Sequence, residues 1–253
     1  MKRKAQQSAE MPLWDHLKAL RKALLVSAYA VAAGTVGGWA LSGHVFRILA
    51  APVESVGVPL ISIGVMEQLM VKLKLSLIAG VIIAAPVVIW QLWSFILPAL
   101  TKSEKKMVYL VAVPSILLFA CGVAFAFYVV LPLCLKFLFF IGNDVVDTVQ
   151  SAIGDYLGFV TAFLITFGCV FQLPIVLLVL IRLDIVSPAA LGKYRKYAFF
   201  IIVVVAVILS PTPDLATQAL MVTPMYLLYE MSIWLGYLVI RRRRKRLARE
   251  DSG

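Results

Sequence analysis

Six long apolar segments constrain the fold of this chain more than any other feature of its sequence. A helix needs about 20 apolar residues to cross the hydrocarbon core of a bilayer. Hydrophobic residues make up 62% of the chain and charged residues only 15%, whereas soluble domains carry about 25% charged residues. The sequence therefore predicts an all-α polytopic membrane protein with six transmembrane helices, at Ala23–Leu41, Leu69–Leu97, Met107–Leu131, Tyr156–Ile181, Tyr197–Leu209 and Leu215–Ile240.

Basic residues divide unequally between the two sides of these segments. Of the 24 Lys and Arg residues, only Arg47, Lys72, Lys74 and Lys136 fall on one side, which leaves 24 − 4 = 20 on the other. Lys and Arg accumulate in cytoplasmic loops, so both termini are expected in the cytoplasm. The predicted organisation is a cytoplasmic segment 1–22, one transmembrane domain 23–240 and a basic tail 241–253. The net charge of +11 then reflects topology and lipid headgroups, and no nucleic-acid binding is expected.

Residues that carry enzymatic or metal chemistry are scarce in this sequence. The three cysteines, Cys121, Cys134 and Cys169, lack metal or redox spacing, and two histidines are too few for a metal site. No phosphate-binding glycine loop and no Ser/His/Asp set is present. We therefore expect neither a cofactor nor an enzymatic activity. The first apolar run begins only after Lys22 and further spans follow it, so no cleavable signal peptide is expected.

The spans differ in length and regularity. Tyr197–Leu209 is short, and the prolines in Ser210–Asp214 predict a tight turn after it. The sequence therefore predicts a hairpin of short fifth and sixth helices, unless this turn borders a longer, tilted helix. Prolines within spans predict kinked helices around a cupped, concave body, although ordinary helix bending is the alternative; these are Pro86, Pro114, Pro174 and Pro224.

Two outer segments differ in character from the spans. Phe46–Glu67 contains Pro52 and Pro59 and is predicted to form a loop. Leu133–Asp155 begins with apolar residues and is predicted to extend a helix as far as Gly142-Asn143. We expect the two segments to pack together as an outer cap.

Four local patterns, in this order and spacing, resemble the TatC family, the large membrane subunit of the twin-arginine translocase. The first is Met11–Arg21 (MPLWDHLKALR), and the second is Gln91–Leu100 (QLWSFILPAL), followed by Glu104. The third is Phe167–Pro174 (FGCVFQLP), and the fourth is Ser210–Asp214 (SPTPD), followed by Gln218, Pro224 and Tyr229-Glu230. The resemblance covers about Met11 to Ile240.

The resemblance implies a function and a set of site residues. TatC proteins have a cupped six-helix fold, lie in the cytoplasmic membrane of bacteria or archaea, and bind twin-arginine signal peptides of folded precursors. They associate with themselves and with single-span partner subunits in export driven by the proton motive force. The implied signal-peptide residues are Glu104, Arg21, His16, Asp15, Phe95 and Leu100. The implied polar residues of the partner-binding region are Gln172, Glu230, Gln218 and Asp214.

Glu104 suits an arginine ligand because a carboxylate binds a guanidinium group through two hydrogen bonds. It is the only acid between the second and third spans. The alternative is a local role, because Thr101-x-x-Glu104 is also a capping-box pattern at a helix start. Both roles can hold in different states.

The first pattern departs from the family form His-Leu-x-Glu-Leu-Arg-x-Arg. Ala19 occupies the glutamate position and Ala23 the final arginine position. Asp15 lies four residues before Ala19, on the same helix face, and can replace the missing carboxylate. The alternative is that Asp15 only stabilises the N-terminus of the helix through its negative charge.

Gln172 stands where the family often has an acid, and it either binds a partner or forms a plain hydrogen bond between helices.

Glu230 lies eleven residues before Arg241, or roughly 16 Å along a helix, which predicts a position near mid-bilayer. Burial there favours the neutral acid. We expect this acid to hydrogen-bond a partner helix or Gln172, with a bond inside the chain as the alternative.

A secondary transporter with a buried Glu230 is a competing function, but no internal repeat supports it. An intramembrane protease would need Ser/His or paired Asp within the spans, and neither is present.

Overall fold

The computed structural model of the protein describes the backbone of residues 13–96, 105–142, 151–210 and 214–250. Side chains are described in the same ranges except at 13, 15, 16, 105–109, 140–142 and 242–250. Within this part the elements are α1 (Leu13–Glu54), β1 (Leu60–Ile61), α2 (Glu67–Ile96), α3 (Lys105–Phe125), a π-helical segment (Ala126–Val130), α4 (Leu131–Gly142), β2 (Ser151–Ala152), α5 (Ile153–Val170), α6 (Leu173–Arg182), α7 (Pro188–Lys193), α8 (Arg195–Leu209) and α9 (Leu215–Glu250). The predicted all-α class is confirmed.

Four helical runs in the described residues are long and apolar enough to cross a membrane. They are Leu17–Glu54, Glu67–Ile96, Leu110–Phe139 and Ile153–Arg182, and they match the first four predicted spans. The protein is therefore a polytopic membrane protein. Six spans and a cupped body remain predictions.

The last two helices differ from each other in length. α8 has 15 residues, about 22 Å at 1.5 Å per residue, less than the roughly 30 Å of a hydrocarbon core. The predicted short fifth helix is confirmed. A short sixth helix is wrong, because α9 runs for 36 residues. Its basic end continues the helix, since Arg, Lys, Leu and Ala are all good helix formers.

The chain divides into two compact units, residues 1–117 with 150–158 and residues 118–149 with 159–253. In the first unit, α1 and α2 pack through glycines. A Cβ atom on Gly38 would lie 2.6 Å from the Ser76 carbonyl oxygen, and one on Gly34 would lie 2.7 Å from that of Gly80. Gly34 and Gly38 form the small-x-x-x-small spacing that lets two membrane helices approach backbone to backbone.

The C-terminal end of α1 corrects the predicted loop at Phe46–Glu67. The helix continues through Pro52 to Glu54, because a proline two residues from the end removes only one helical hydrogen bond. The helix then ends in a Schellman motif, in which Gly57 N–H donates to Glu54 O (2.9 Å) and Val58 N–H donates to Val53 O (3.4 Å). Gly57 has a φ of 81°, a conformation that glycine adopts without a Cβ penalty.

The expected contact between the two outer segments is confirmed. β1 and β2 pair in parallel, with Leu60 opposite Ser151 and Ile61 opposite Ala152. Tyr156 adds a second link, since its hydroxyl donates to the carbonyl oxygen of Leu49 over 2.7 Å. The predicted helical extension is also confirmed, because α4 ends at Gly142.

Prolines act in two ways in these helices. Pro86, Pro114 and Pro224 lie inside α2, α3 and α9, as predicted. Pro174 instead lies in the first turn of α6, after a break at Phe171-Gln172. A proline at a helix start loses no hydrogen bond because the first N–H groups have no helical acceptor. The predicted bend at Pro174 is thus a boundary between two helices.

Aromatic side chains fill the core of the second unit. Phe163 and Phe167 are fully buried, and their ring centroids lie 4.8 Å apart. A Cβ on Gly122 would lie 2.8 Å from the Phe167 carbonyl oxygen. This glycine therefore lets α3 and α5 approach closely.

Candidate functional site

The predicted signal-peptide residues lie in three places. Glu104 and Leu100 lie outside the described residues. Asp15 and His16 belong to α1, although their side chains are not described, and Arg21 is exposed on the same helix. Phe95 is half-buried in the last turn of α2. Their convergence into one site therefore stays a prediction.

The backbone of α1 meets one requirement for Asp15 to replace the carboxylate that is missing at Ala19. α1 is helical from Leu13, so positions Asp15 and Ala19 lie one turn apart on one face. A carboxylate at either position is thus presented from the same side of the helix.

The tryptophan in the second family pattern anchors α2 to α3. Trp93 Nε1 donates to Ser115 Oγ over 2.8 Å. Trp93 is 2% exposed and Ser115 is fully buried, so this bond satisfies an indole N–H that water cannot reach. The contact fixes the helix end that leads into the segment of Leu100 and Glu104. Sequence reasoning missed this role, because it depends on a serine 22 residues away.

A carboxylate at the start of α2 joins two distant segments, and sequence reasoning missed it. Glu67 Oε2 accepts from the N–H groups of Ile63 (2.5 Å) and Gly64 (3.3 Å) and from the hydroxyl of Ser62 (3.2 Å). Glu67 Oε1 accepts from the N–H of Gly154 over 2.9 Å. The sequence feature that could have revealed this role is an acid in the first turn of a helix, directly after a loop that contains glycine. Glu67 therefore holds the loop beside β1 against the start of α5.

Glu230 forms an ion pair with Arg195, which corrects its predicted state. Arg195 Nε lies 2.7 Å from Glu230 Oε1, and Nη2 donates to Oε2 over 2.9 Å. Tyr226 Oη also donates to Oε1, over 3.0 Å. A guanidinium group is always charged, so this bidentate geometry requires the carboxylate rather than the expected neutral acid.

The ion pair also fixes the position of Glu230 along α8. Arg195 is the first residue of α8, so Glu230 lies level with the start of that helix and not at its centre. The pair is partly exposed, at 48% for Arg195 and 24% for Glu230. Glu230 therefore pairs with Arg195 and Tyr226 instead of the expected Gln172.

The other predicted polar residues occupy helix ends. Asp214 caps α9, because its Oδ1 accepts from the Thr217 N–H over 2.6 Å. Gln218 lies one turn later and is half-buried, and Gln172 is half-buried in the break before α6. Gln218 and Glu230 are twelve positions apart on α9, roughly 18 Å. The structure therefore does not bring these two into one site.

Metal binding finds no support in the described residues. No group of three or more His, Cys, Asp or Glu side chains there could hold a metal ion. The polar features are helix caps, an ion pair and hydrogen bonds between elements.

The geometry thus defines a polytopic α-helical membrane protein. Residues 15–224 match the family model described as Sec-independent protein translocase protein (TatC). The chain belongs to the TatC family. Membership sets aside the transporter and protease alternatives and places the chain among protein translocase components rather than enzymes.

Individual relatives agree over most of their length. The TatC protein of Carboxydothermus hydrogenoformans is 38% identical over 229 residues, which cover 90% of this chain and 94% of the relative. The TatC protein of Aquifex aeolicus is 40% identical over 238 residues, covering 93% and 98%. A crystal structure described as "Twin Arginine Translocase Receptor- TatC" matches with a TM-score of 0.78 and 40% identity, covering 88% of this chain and 98% of the other.

Proposed function

We propose that this chain is the signal-peptide receptor subunit of a twin-arginine translocase in a bacterial or archaeal cytoplasmic membrane. The observation that carries the proposal is the 40% identity, over 88% of the chain, with a structure described as a twin-arginine translocase receptor. In this role the chain binds twin-arginine signal peptides of folded precursors. It then acts with single-span subunits in export driven by the proton motive force.

Both termini face the cytoplasm in this proposal, because the basic residues divide twenty to four between the two sides. Single cysteines introduced at Ser103 and Ser252 should be protected from a membrane-impermeant thiol reagent in intact cells. The native cysteines are replaced in this background. Outside labelling at either position would contradict the orientation.

Glu104 is the proposed carboxylate for one arginine of the signal peptide. It stands among Lys102, Lys105 and Lys106, which would otherwise repel a cationic ligand. A bidentate carboxylate supplies both attraction and geometry. The buried bond between Trp93 and Ser115 supports this role by fixing the helix end that precedes the segment.

Glu104→Gln tests this assignment, because it keeps the shape of the side chain and removes the charge. Binding of a twin-arginine peptide to purified protein in nanodiscs should weaken by about 1–3 kcal/mol, the range for hydrogen bonds to charged groups. Glu54→Gln is the control, since it removes one carboxylate at the far end of α1. Equal binding to wild type and Glu104→Gln, with both folded, would leave Glu104 only a capping role.

Asp15 is proposed to replace the carboxylate that Ala19 lacks. Asp15→Ala should then reduce peptide binding, and adding Ala19→Glu to it should restore binding, because both positions share one face of α1. If the double variant stays defective while folding normally, Asp15 serves only the helix terminus.

The hairpin of α8 and α9 is the proposed contact region for single-span partners and for a second copy of the chain, with Gln218 and Asp214 at its turn and Gln172 as a further polar group. Glu230 contributes indirectly, by holding α8 through Arg195. Gln218→Leu should lower partner recovery in co-purification without lowering the melting temperature. Full partner recovery would assign Gln218 to contacts within the chain.

A further inference from the structure

A groove along one face of α9 is lined by two arginines, one from α8 and one from α9. Its volume is about 380 Å³, and its lining residues are Arg195, Ile233, Trp234, Tyr237, Leu238 and Arg241. Five of these six are spaced along α9 at intervals that bring them to one side of a helix. Arg195 comes from the first residue of α8. The groove therefore follows the last apolar turns of α9 up to its basic end.

The arginine pair gives the groove a positive character. Glu230 neutralises one charge and binds the Nε and Nη2 edge of Arg195. A guanidinium group carries five N–H donors, so Nη1 supplies a second edge that can bind an oxyanion. Arg241 adds another guanidinium group to the lining of the groove. The three charged groups sum to 2 − 1 = +1, which complements a single anionic headgroup.

The groove also carries residue types that favour the depth of lipid headgroups. Trp234 is 72% exposed and Tyr237 is 52% exposed, and these residue types concentrate where a membrane meets water. The basic run that begins at Arg241 marks the same boundary. Ile233 and Leu238 add apolar surface to the lining of the groove. A ligand that fits must combine an anionic head with a hydrocarbon chain.

We propose that this groove is a binding site for an anionic phospholipid. The phosphate group binds between Arg195 and Arg241, and an acyl chain lies along Ile233 and Leu238. Basic pockets at the ends of transmembrane helices bind anionic lipid headgroups in this manner. Bound lipid would stabilise the contact between α8 and α9 at the end where Arg195 pairs with Glu230.

Native mass spectrometry of the purified full-length protein tests the site, with phosphatidylglycerol and phosphatidylcholine as probes. Phosphatidylglycerol should be retained preferentially, and Arg241→Gln should weaken its binding about fivefold, the equivalent of roughly 1 kcal/mol per basic residue near a lipid surface. Arg47→Gln is the matched control, since it removes one charge outside the groove. Arg241 is the better target, because changing Arg195 also breaks its pair with Glu230.

Three results would overturn the proposal. Equal weakening by Arg241→Gln and Arg47→Gln would mean a general charge effect. Displacement of phosphatidylglycerol by millimolar inorganic phosphate would mean a simple anion site. Loss of single-span partner binding in Arg241→Gln, with unchanged lipid retention, would assign the groove to a protein. Unaltered melting temperatures in both variants confirm that the comparison uses folded protein.

Discussion

The α1–α2 pair and the α8–α9 pair are joined by opposite means. α1 and α2 meet where Gly34, Gly38 and Gly80 leave no room for a side chain. α8 and α9 are linked by the Arg195–Glu230 ion pair, which is partly exposed and built from long side chains. A backbone contact tolerates almost no displacement, whereas long side chains can follow a moving helix. The first pair is therefore suited to a fixed frame, and the second to rearrangement.

The glycine contact should show the largest effect. Gly38→Ala places a Cβ 2.6 Å from the Ser76 carbonyl oxygen, and such overpacking costs about 1–3 kcal/mol. Gly37→Ala is the matched control, because its Cβ would meet nothing within 4 Å. Thermal unfolding in detergent should show a lower melting temperature for Gly38→Ala alone. Equal melting temperatures for the two variants would contradict a rigid contact between α1 and α2.

The buried bond between α2 and α3 should come next. Ser115→Ala leaves the Trp93 indole N–H without this acceptor, at a cost of about 1–3 kcal/mol. In a double-mutant cycle, Ser115→Ala should cost less in a Trp93→Phe background than in the wild type, because no indole N–H then remains to be satisfied. Strict additivity in the unfolding free energies would show that the bond contributes little.

The cap of α9 should have a smaller effect. Asp214→Ala removes the acceptor of the Thr217 N–H, which costs about 0.5–2 kcal/mol. Asp214→Asn keeps an oxygen acceptor and should stay close to wild type. If the asparagine variant unfolds as early as the alanine variant, the charge of Asp214 matters more than its capping bond.

The Arg195–Glu230 pair should contribute least to stability, because exposed ion pairs are weak. Glu230→Gln should lower the melting temperature less than Gly38→Ala does. The exchange variant Arg195→Glu with Glu230→Arg should recover the small loss. A drop for Glu230→Gln as large as for Gly38→Ala would reverse the comparison and make α8–α9 the fixed frame.

Local features of this protein were predictable from sequence, as was the contact of the two outer segments, but the residues that pair across other nonlocal contacts were not. The end of α8 followed from the prolines after Leu209, and the end of α4 from Gly142. The partner of Glu230 was missed because Arg195 is 35 positions away. Arg195 was counted only among the basic residues that set the membrane orientation.

The glycine contact illustrates the same limit. Gly34 and Gly38 show a spacing that permits close packing, but only the structure shows that Gly80 and Ser76 lie opposite them. The end of α1 was misjudged for a different reason. Pro52 was expected to limit the helix, but a proline in the last turn removes a single backbone hydrogen bond.

In the proposed function, this chain recognises the two arginines of a signal peptide. The most direct measurement compares a twin-arginine peptide with its twin-lysine counterpart, bound to the purified wild-type chain in nanodiscs. Arginine can bind a carboxylate through two parallel hydrogen bonds and lysine cannot. The twin-lysine peptide should bind roughly tenfold more weakly or worse, which corresponds to about 1.4 kcal/mol. Equal affinities for the two peptides would contradict it.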